Sequence, residues 1–370
     1  MPYKSERERR GTSRSERPRW KVIQFATGNV GRLALQGILD HPDLELVGLW
    51  VHSAAKAGKD AGELCGRAPV GVPATNDFDA ILALEADAVS HNSTGDLRPA
   101  EAAAEIAALL ASGKNVVSSA VISLLHPGTA DHAMVEQLEA ACAAGQTSCF
   151  TSGIDPGFAN DLLPLTLSGF CARVDSMRVA EILNYDTYDQ ATVLFDTMGF
   201  GQPMDHVPFL LMPGVLAYAW GSVIHLMAEG LGVEVDEIRE RYERVPAPET
   251  FDIAAGTVEA GTVAGLRFEI EGIVGGEPVL TVEHVTRLRD DLAPEWPAPP
   301  EGGGYRIEVK GSPSFRVELS MLGEDGDHNT GGLLATAMRL LNAIPAVCAA
   351  PPGLLTPFDL PLVTGHRGRR

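Results

Sequence analysis

Phe25-Ala26-Thr27-Gly28-Asn29-Val30-Gly31-Arg32 is the stretch on which the fold of this chain is decided. An apolar run, Val22-Ile23-Gln24-Phe25, leads into it, and a helix-period segment, Leu33-Ala34-Leu35-Gln36-Gly37-Ile38-Leu39, leads out. A strand that turns on small residues into a helix leaves free backbone N–H groups at the helix start. With the helix dipole, those groups hold a phosphate without a charged side chain. The dinucleotide fingerprint G-x-G-x-x-G/A gives each glycine a task. Here it reads Ala26-x-Gly28-x-x-Gly31-x-x-Ala34. Gly28 lets the backbone approach a pyrophosphate, Gly31 lets the helix pack on its strand, and Ala26 stands where the first glycine usually does. The strand before, the helix after and a second strand over 44–51 supply the context that the motif requires.

Working outward, strand and helix alternate from Trp20 to about Ser152. Strands are predicted over 21–25, 44–51, 86–90, 115–118 and 147–150, with helices over 30–40, 77–84, 99–111 and 129–144. Such alternation predicts an α/β fold opening with a doubly wound, parallel Rossmann domain, residues 20–157. Ligands in such sheets lie beyond the carboxyl ends of the strands. The loops after each strand therefore carry the expected cofactor contacts: His52, Ser53 and Lys56, then Asn92, Ser93 and Thr94, then Ser118 and Ser119. They join Ala26, Thr27, Gly28, Asn29, Val30, Gly31 and Arg32 of the turn. After 44–51 no carboxylate appears before Asp60, whereas an NAD-preferring site places one there for the ribose 2′-hydroxyl. His52, Ser53 and Lys56 suit a 2′-phosphate, so NADP(H) is favoured and NAD(H) stays open.

The chain has 370 residues, 45% of them apolar, enough for two cores. Its net charge of −20 argues against a nucleic-acid surface. Residues 1–19 hold seven Lys/Arg and three Asp/Glu, so the remainder carries −24. That leading stretch reads as a disordered basic tail without the apolar core of a signal peptide. Five cysteines with no C-x-x-C pair fit a reduced cytoplasmic protein with no metal site.

Beyond residue 157 the character changes, and 158–330 reads as an α+β domain. A helix is expected over 159–167 and a strand over 176–183, followed by the polar aromatic patch Asn184-Tyr185-Asp186-Thr187-Tyr188-Asp189. The nearly uncharged stretch 205–231 reads as a buried helical hairpin broken at Pro213-Gly214, with His225 in the core, rather than as a membrane span. Alternating runs over 262–270, 278–288, 305–309 and 315–319, with a hairpin signal at Gly275-Gly276, predict an open antiparallel sheet. One face of it is free for a second copy, hence an expected homodimer. Residues 331–370 form a helix over 331–343 and an apolar tail returning to the first domain.

The segment ATGNVGR followed by HSAAKAGKDAGEL, within 22–64, resembles the dihydrodipicolinate-reductase-like branch that contains 2,4-diaminopentanoate dehydrogenase and the native amine dehydrogenases. Residues 153–158 are similar to its G-x-N-P-G-F turn, with Asp155 for Asn, and 345–361 to its closing segment. The resemblance implies an NAD(P)-binding domain, a second domain for substrate and dimerisation, and hydride transfer to a carbonyl-derived carbon. Two departures stand out. The substrate motif of the true dihydrodipicolinate reductases is absent. The amine dehydrogenases' acidic pair after the fifth strand is replaced here by Val121 and Ile122.

Hydride transfer to C=O or C=N needs a proton donor within hydrogen-bond reach of the heteroatom. The candidates are Asp155, Tyr185 and His126, with Tyr188 and Ser119 behind them. Asp155 is alternatively a cap for the helix after Pro156. The expected function is an NAD(P)H-dependent oxidoreductase acting on a carbonyl, imine or amine carbon of a small to medium apolar substrate. The alternatives are an amine dehydrogenase with a relocated acid, and an NADP-binding sensor without chemistry.

Overall fold

The computed structural model describes residues 19–95, 98–300 and 302–366. The basic tail expected over 1–19 lies outside them, apart from Arg19. The first sheet is built from β1 (Trp20–Phe25), α1 (Asn29–Asp40), β2 (Leu44–Trp50), α2 (Ala61–Leu64), β3 (Ala74–Thr75), α3 (Phe78–Ala83), β4 (Ala88–His91), α4 (Pro99–Ala111), β5 (Asn115–Ser118), α5 (His132–Gly145) and β6 (Ser148–Thr151). The second part comprises α6 (Leu162–Ser168), β7 (Arg173–Asn184), α7 (Val215–Leu231), β8 (Glu237–Pro246), β9 (Phe251–Ile253), β10 (Gly256–Val258), β11 (Val263–Val274), β12 (Glu277–Arg287), β13 (Gly304–Ser312) and β14 (Phe315–Ser320). The chain closes with α8 (His328–Val347) and β15 (Gly353–Leu355).

The first sheet is parallel throughout, in the order β15-β6-β5-β4-β1-β2-β3. Its strands are apolar because helices cover both faces. Ala34 and Ile38 of α1 meet Leu340, Leu341 and Ile344 of α8 on one side, and Ile106, Leu109 and Leu138 of α4 and α5 lie on the other. The closing tail supplies the seventh strand, β15, which pairs in parallel with β6.

The second sheet runs β14-β13-β7-β12-β11-β8. Gly275 and Gly276 turn β11 into β12 with φ of 60° and 88°, the paired positive values that a tight hairpin requires. The expectation of an antiparallel sheet needs one correction: β7 and β12 pair in parallel. A parallel pair requires a long crossover, and α7 with the β8–β11 pair provides it. The helical hairpin expected over 205–231 is also corrected. Gly214, at φ 85°, starts a single helix, α7, after a short 3-10 turn over Phe209–Leu211. Its Val223, Ile224 and Met227 pack with Leu266 and Phe268 of the sheet. Its neighbour His225 is half-buried rather than deep in the core. No helix among the described residues is long and apolar enough to cross a membrane.

Candidate active site

The turn after β1 has the geometry of a phosphate cradle. No side chain caps Gly28, and no acidic residue sits in the first turn of α1. A Cβ built on Gly28 would meet nothing within 4 Å, so the space above it is open. A Cβ on Gly31 would run into the carbonyl of Ala26, well inside van der Waals contact. Ala26, standing for the first glycine, adopts φ 76°, the left-handed conformation for which glycine is the usual choice. Lys56 reaches back from the loop after β2 and donates to Thr27 O at 3.2 Å and Thr27 Oγ1 at 3.0 Å, which brings a cation to this turn. His52, Ser53 and Arg32 stand exposed around it.

The other expected cofactor loops converge at the same end of the sheet. Asn92 N bonds Phe25 O, Ser119 N bonds His91 O, and Ser152 N bonds Ser118 O. Asn92 is a tether: its Oδ1 accepts from Gln24 and Ser90, and its Nδ2 donates to Ser119 Oγ. Ser118 Oγ pairs with the buried ring of His91, and Ser93 with that ring and Glu105. Thr94 is exposed. Val121 is buried in the core of the first domain, together with Ala120 and Leu124.

Asp155 follows β6 at this same edge. The expectation that it caps the next helix gives way, because α6 begins only at Leu162 and Asp161 takes that role. Asp155 instead turns toward the second sheet. Its Oδ1 accepts from Trp220 Nε1 at 2.8 Å and lies 3.3 Å from His284 Nε2. On the other side of the His284 ring, Nδ1 lies 3.2 Å from Glu181 Oε2. Glu181 Oε1 accepts from Tyr305 at 2.6 Å and faces His328 Nε2 at 3.7 Å. The ring of His284 is stacked on Phe268 at 4.7 Å and leans on Trp220 at the same distance.

Two carboxylates on opposite nitrogens of one imidazole suit a ring protonated at both. Their charges outweigh burial and raise His284 to about 10. The same imidazolium, with His328, holds Glu181 well below the usual carboxylate range although burial opposes it. The ligand atoms of Asp155, Glu181 and His284 lie within 4.8 Å of one another, close enough for a metal ion. A metal on one ring nitrogen would displace the proton shared with the carboxylate on that side and leave the N–H on the other side to its carboxylate.

A cavity of about 150 Å³ opens beside this cluster, with Asp155, Glu181, Tyr185, Tyr188, His328 and Asn329 among its walls. Ile154, Leu183 and Leu333 make it apolar elsewhere. Tyr185 and Tyr188 stack at 4.9 Å, and burial pushes the Tyr185 phenol well above its ordinary value, so it keeps its proton. Asp155 and Tyr185 thus meet at one cavity, whereas His126 does not reach it. The His126 ring bonds Thr129 at 2.9 Å and Glu229 at 3.0 Å, beside His225. A larger cavity, about 280 Å³, lies under α7 near His225, away from both carboxylates.

Glu181, His284, Tyr305, His328 and Trp220 are absent from the sequence-based candidates. A signal was present. Glu181 and His284 occupy the inward phase of their strands, in line with Met177 and Val179 and with Leu280 and Val282. A charge at an apolar phase of a strand is the mark of a site rather than of a solvated face.

Residues 22–120 match the family model described as dihydrodipicolinate reductase, N-terminus. Residues 158–369 match that of the 2,4-diaminopentanoate dehydrogenase C-terminal domain. An amine dehydrogenase of Streptomyces virginiae is 42% identical over 94% of this chain and 99% of its own length. A 2,4-diaminopentanoate dehydrogenase of Acetoanaerobium sticklandii is 24% identical over 67% of each chain. The solved amine dehydrogenase of Mycobacterium smegmatis superposes with a TM-score of 0.76 over 94% of this chain and 97% of its own, at 19% identity.

Proposed function

The chain belongs to the family that unites 2,4-diaminopentanoate dehydrogenase with the amine dehydrogenases, and from that premise we propose that it interconverts a small apolar carbonyl compound and ammonia with the corresponding amine. It is an NAD(P)-dependent oxidoreductase. The observation that carries the finer reading is the carboxylate pair Asp155 and Glu181 in the cavity wall, at the carboxyl edge of the first sheet. This pair takes the place of the acids missing at Val121 and Ile122.

The nicotinamide, when bound, supplies or accepts the hydride. The turn from Ala26 to Arg32 would hold the pyrophosphate on backbone amides, and Asn92, Ser93, Thr94, Ser118 and Ser119 lie on the loops that would receive the remainder of the cofactor. Lys56, His52 and Ser53 favour NADP(H), a preference supported by the 3.0 Å bond that brings Lys56 to Thr27. Asp155 is the group that meets the substrate nitrogen. Its Oδ1 is committed to Trp220 and His284, and Oδ2 takes no hydrogen bond among the described residues. An ionised Asp155 accepts an N–H of ammonium or iminium and relieves ammonium of the proton that blocks its lone pair. Tyr185 donates a hydrogen bond to the carbonyl oxygen, which leaves as water with one proton from the added nitrogen and the one that Asp155 took from ammonium, so that the hydride meets an iminium carbon. His126, tied to Glu229, has no part in this step.

The outer face of the second sheet is the surface proposed for a homodimer. Arg178 and Arg267 there bind Glu269 and Glu283, a network able to meet its own copy. Five free cysteines support a reduced, cytoplasmic setting.

The test is NADPH consumption with a panel of small ketones, with and without ammonium. Rates that require ammonium, and that fall about a hundredfold or more in Asp155→Asn, support the proposal. A rate indifferent to ammonium contradicts it.

A further inference from the structure

Three ionisable side chains meet beside Trp220, and they differ in what they have left to offer. Glu181 has both oxygens engaged: Oε2 lies 3.2 Å from His284 Nδ1, and Oε1 accepts from Tyr305 at 2.6 Å with His328 Nε2 beyond it at 3.7 Å. His284 has both nitrogens engaged, since Nε2 lies 3.3 Å from Asp155 Oδ1. Asp155 keeps one oxygen, Oδ2, without a hydrogen bond among the described residues. The two contacts of Oδ1 differ in kind. Trp220 donates a directed hydrogen bond at 2.8 Å, whereas His284 Nε2 completes none among the described residues and acts across its 3.3 Å by charge. Water screens that charge little, because the three side chains are only 3% to 10% exposed. The cation stands between two anions. Without it, Asp155 and Glu181 would form a buried like-charged pair, and such a pair takes up a proton.

We infer that His284 and Glu181 are positioning residues for Asp155: Glu181 holds the imidazolium in place, and the imidazolium keeps Asp155 ionised for the substrate nitrogen. The inference rests on the reading of Asp155 as the proton acceptor. Neither positioning residue touches the substrate, and neither passes on a proton. The division of labour follows from the atoms: the ring and Glu181 are spent on one another and on their neighbours, and only Asp155 has an oxygen to give. Trp220 and Phe268 wall the ring at 4.7 Å and offer it no charge. The other titratable groups acting on the triad are Tyr305 and His328 at Glu181, Tyr185 and Tyr188 after β7, and Asp161, itself offset by Arg339. Substitutions at 284 and 181 leave all of these unaltered, so they cancel when pH profiles are compared.

The experiment follows kcat/KM against pH for the best ketone of the panel, with NADPH and ammonium saturating. It compares the full-length parent, His284→Gln and the double variant His284→Gln/Glu181→Gln. The acid limb of this profile reports the group that must be ionised in the free enzyme. An opposite charge at this distance moves a carboxylate by about one to three pH units, so the limb of His284→Gln is expected about one unit or more above the parent's. The double variant loses the like charge as well, and its limb falls back toward the parent's. A ring that only packs would lower the rate at every pH and move neither limb. A limb that stays in place in His284→Gln overturns the inference, as does a double variant whose limb lies no lower than that of the single one. If His284→Gln does not fold, ¹⁵N-histidine spectra of the parent decide. At about pH 8.5, where an ordinary ring is neutral, a ring protonated on both nitrogens is expected, and ten neutral rings overturn the inference. Ammonium-dependent turnover with an unmoved limb removes the inference and leaves the amine dehydrogenase reading standing. Absence of ammonium-dependent turnover in the parent removes both.

Discussion

Asp155 has one oxygen engaged by the fold and one that we propose meets the substrate. Trp220 and His284 hold Oδ1, Oδ2 takes no hydrogen bond among the described residues, and Asp155 lines the cavity. Asp155→Asn therefore keeps the shape and loses the charge. We expect NADPH affinity within about twofold of the parent and turnover lower by about 10²-fold to 10⁴-fold, the usual worth of a positioned acid–base group. Unimpaired turnover would move the role to Glu181. Lys56 carries a second prediction. Its removal in Lys56→Ala should raise the KM for NADPH about tenfold and leave that for NADH nearly unchanged, since only the former offers a 2′-phosphate. Equal effects on both cofactors would show that Lys56 merely braces Thr27. Asp155 was legible in the sequence because it lies in a Gly- and Pro-bounded turn directly after a strand. Its partners were not, because Trp220 is 65 residues away and His284 farther still.

The elements owe their positions to close approaches at a few points. α1 can sit against the end of β1 because residue 31 has no side chain, and Gly31→Ala would drive a methyl into the Ala26 carbonyl. That variant should lose about 1–3 kcal/mol of stability and most of its NADPH binding, measured by denaturant unfolding and ligand-induced thermal shift. A stable variant with parent affinity would contradict this account of the turn. The β7–β12 pair is pinned by the imidazolium of His284. Its folded value, about 10, lies above the ordinary 6.5, so its stabilisation is complete below about 6.5 and fades as pH rises through about 10. Unfolding midpoints of the parent and of His284→Gln should therefore converge toward pH 10; a gap that stays constant would show that packing on Phe268 and Trp220 matters more than charge. Glu181, depressed by the same ring, contributes above its ordinary 4.5 and is lost only in strong acid. In the first domain the longer elements were readable, since each long apolar run there is a buried parallel strand bounded by turn residues, whereas α2, β3 and β15 are too short to carry a period. In the second, β8 was missed: Glu237–Pro246 is an edge strand of alternating charges, which carries no apolar period. The parallel pairing of β7 with β12 lay beyond any local signal.

On the scale of the molecule, two domains meet where each is incomplete. The first supplies a strand-end loop with Asp155, the second a sheet whose inward face bears Glu181 and His284, and α8 runs from the cavity to the first domain's core. The outer sheet face should bury itself in a homodimer. Sedimentation of the parent at twice the monomer mass, with Arg178→Glu shifted toward monomer, supports that arrangement, and a monomeric parent excludes it. The central claim is that hydride and ammonia nitrogen arrive at one carbon in front of Asp155. It is tested most directly by running the reaction with NADPH deuterated at the transferring position and with ¹⁵N-ammonium, then reading the product by mass spectrometry. The account predicts an amine carrying deuterium and ¹⁵N on the same carbon. Deuterium found in an alcohol, with no ¹⁵N incorporated, would contradict it.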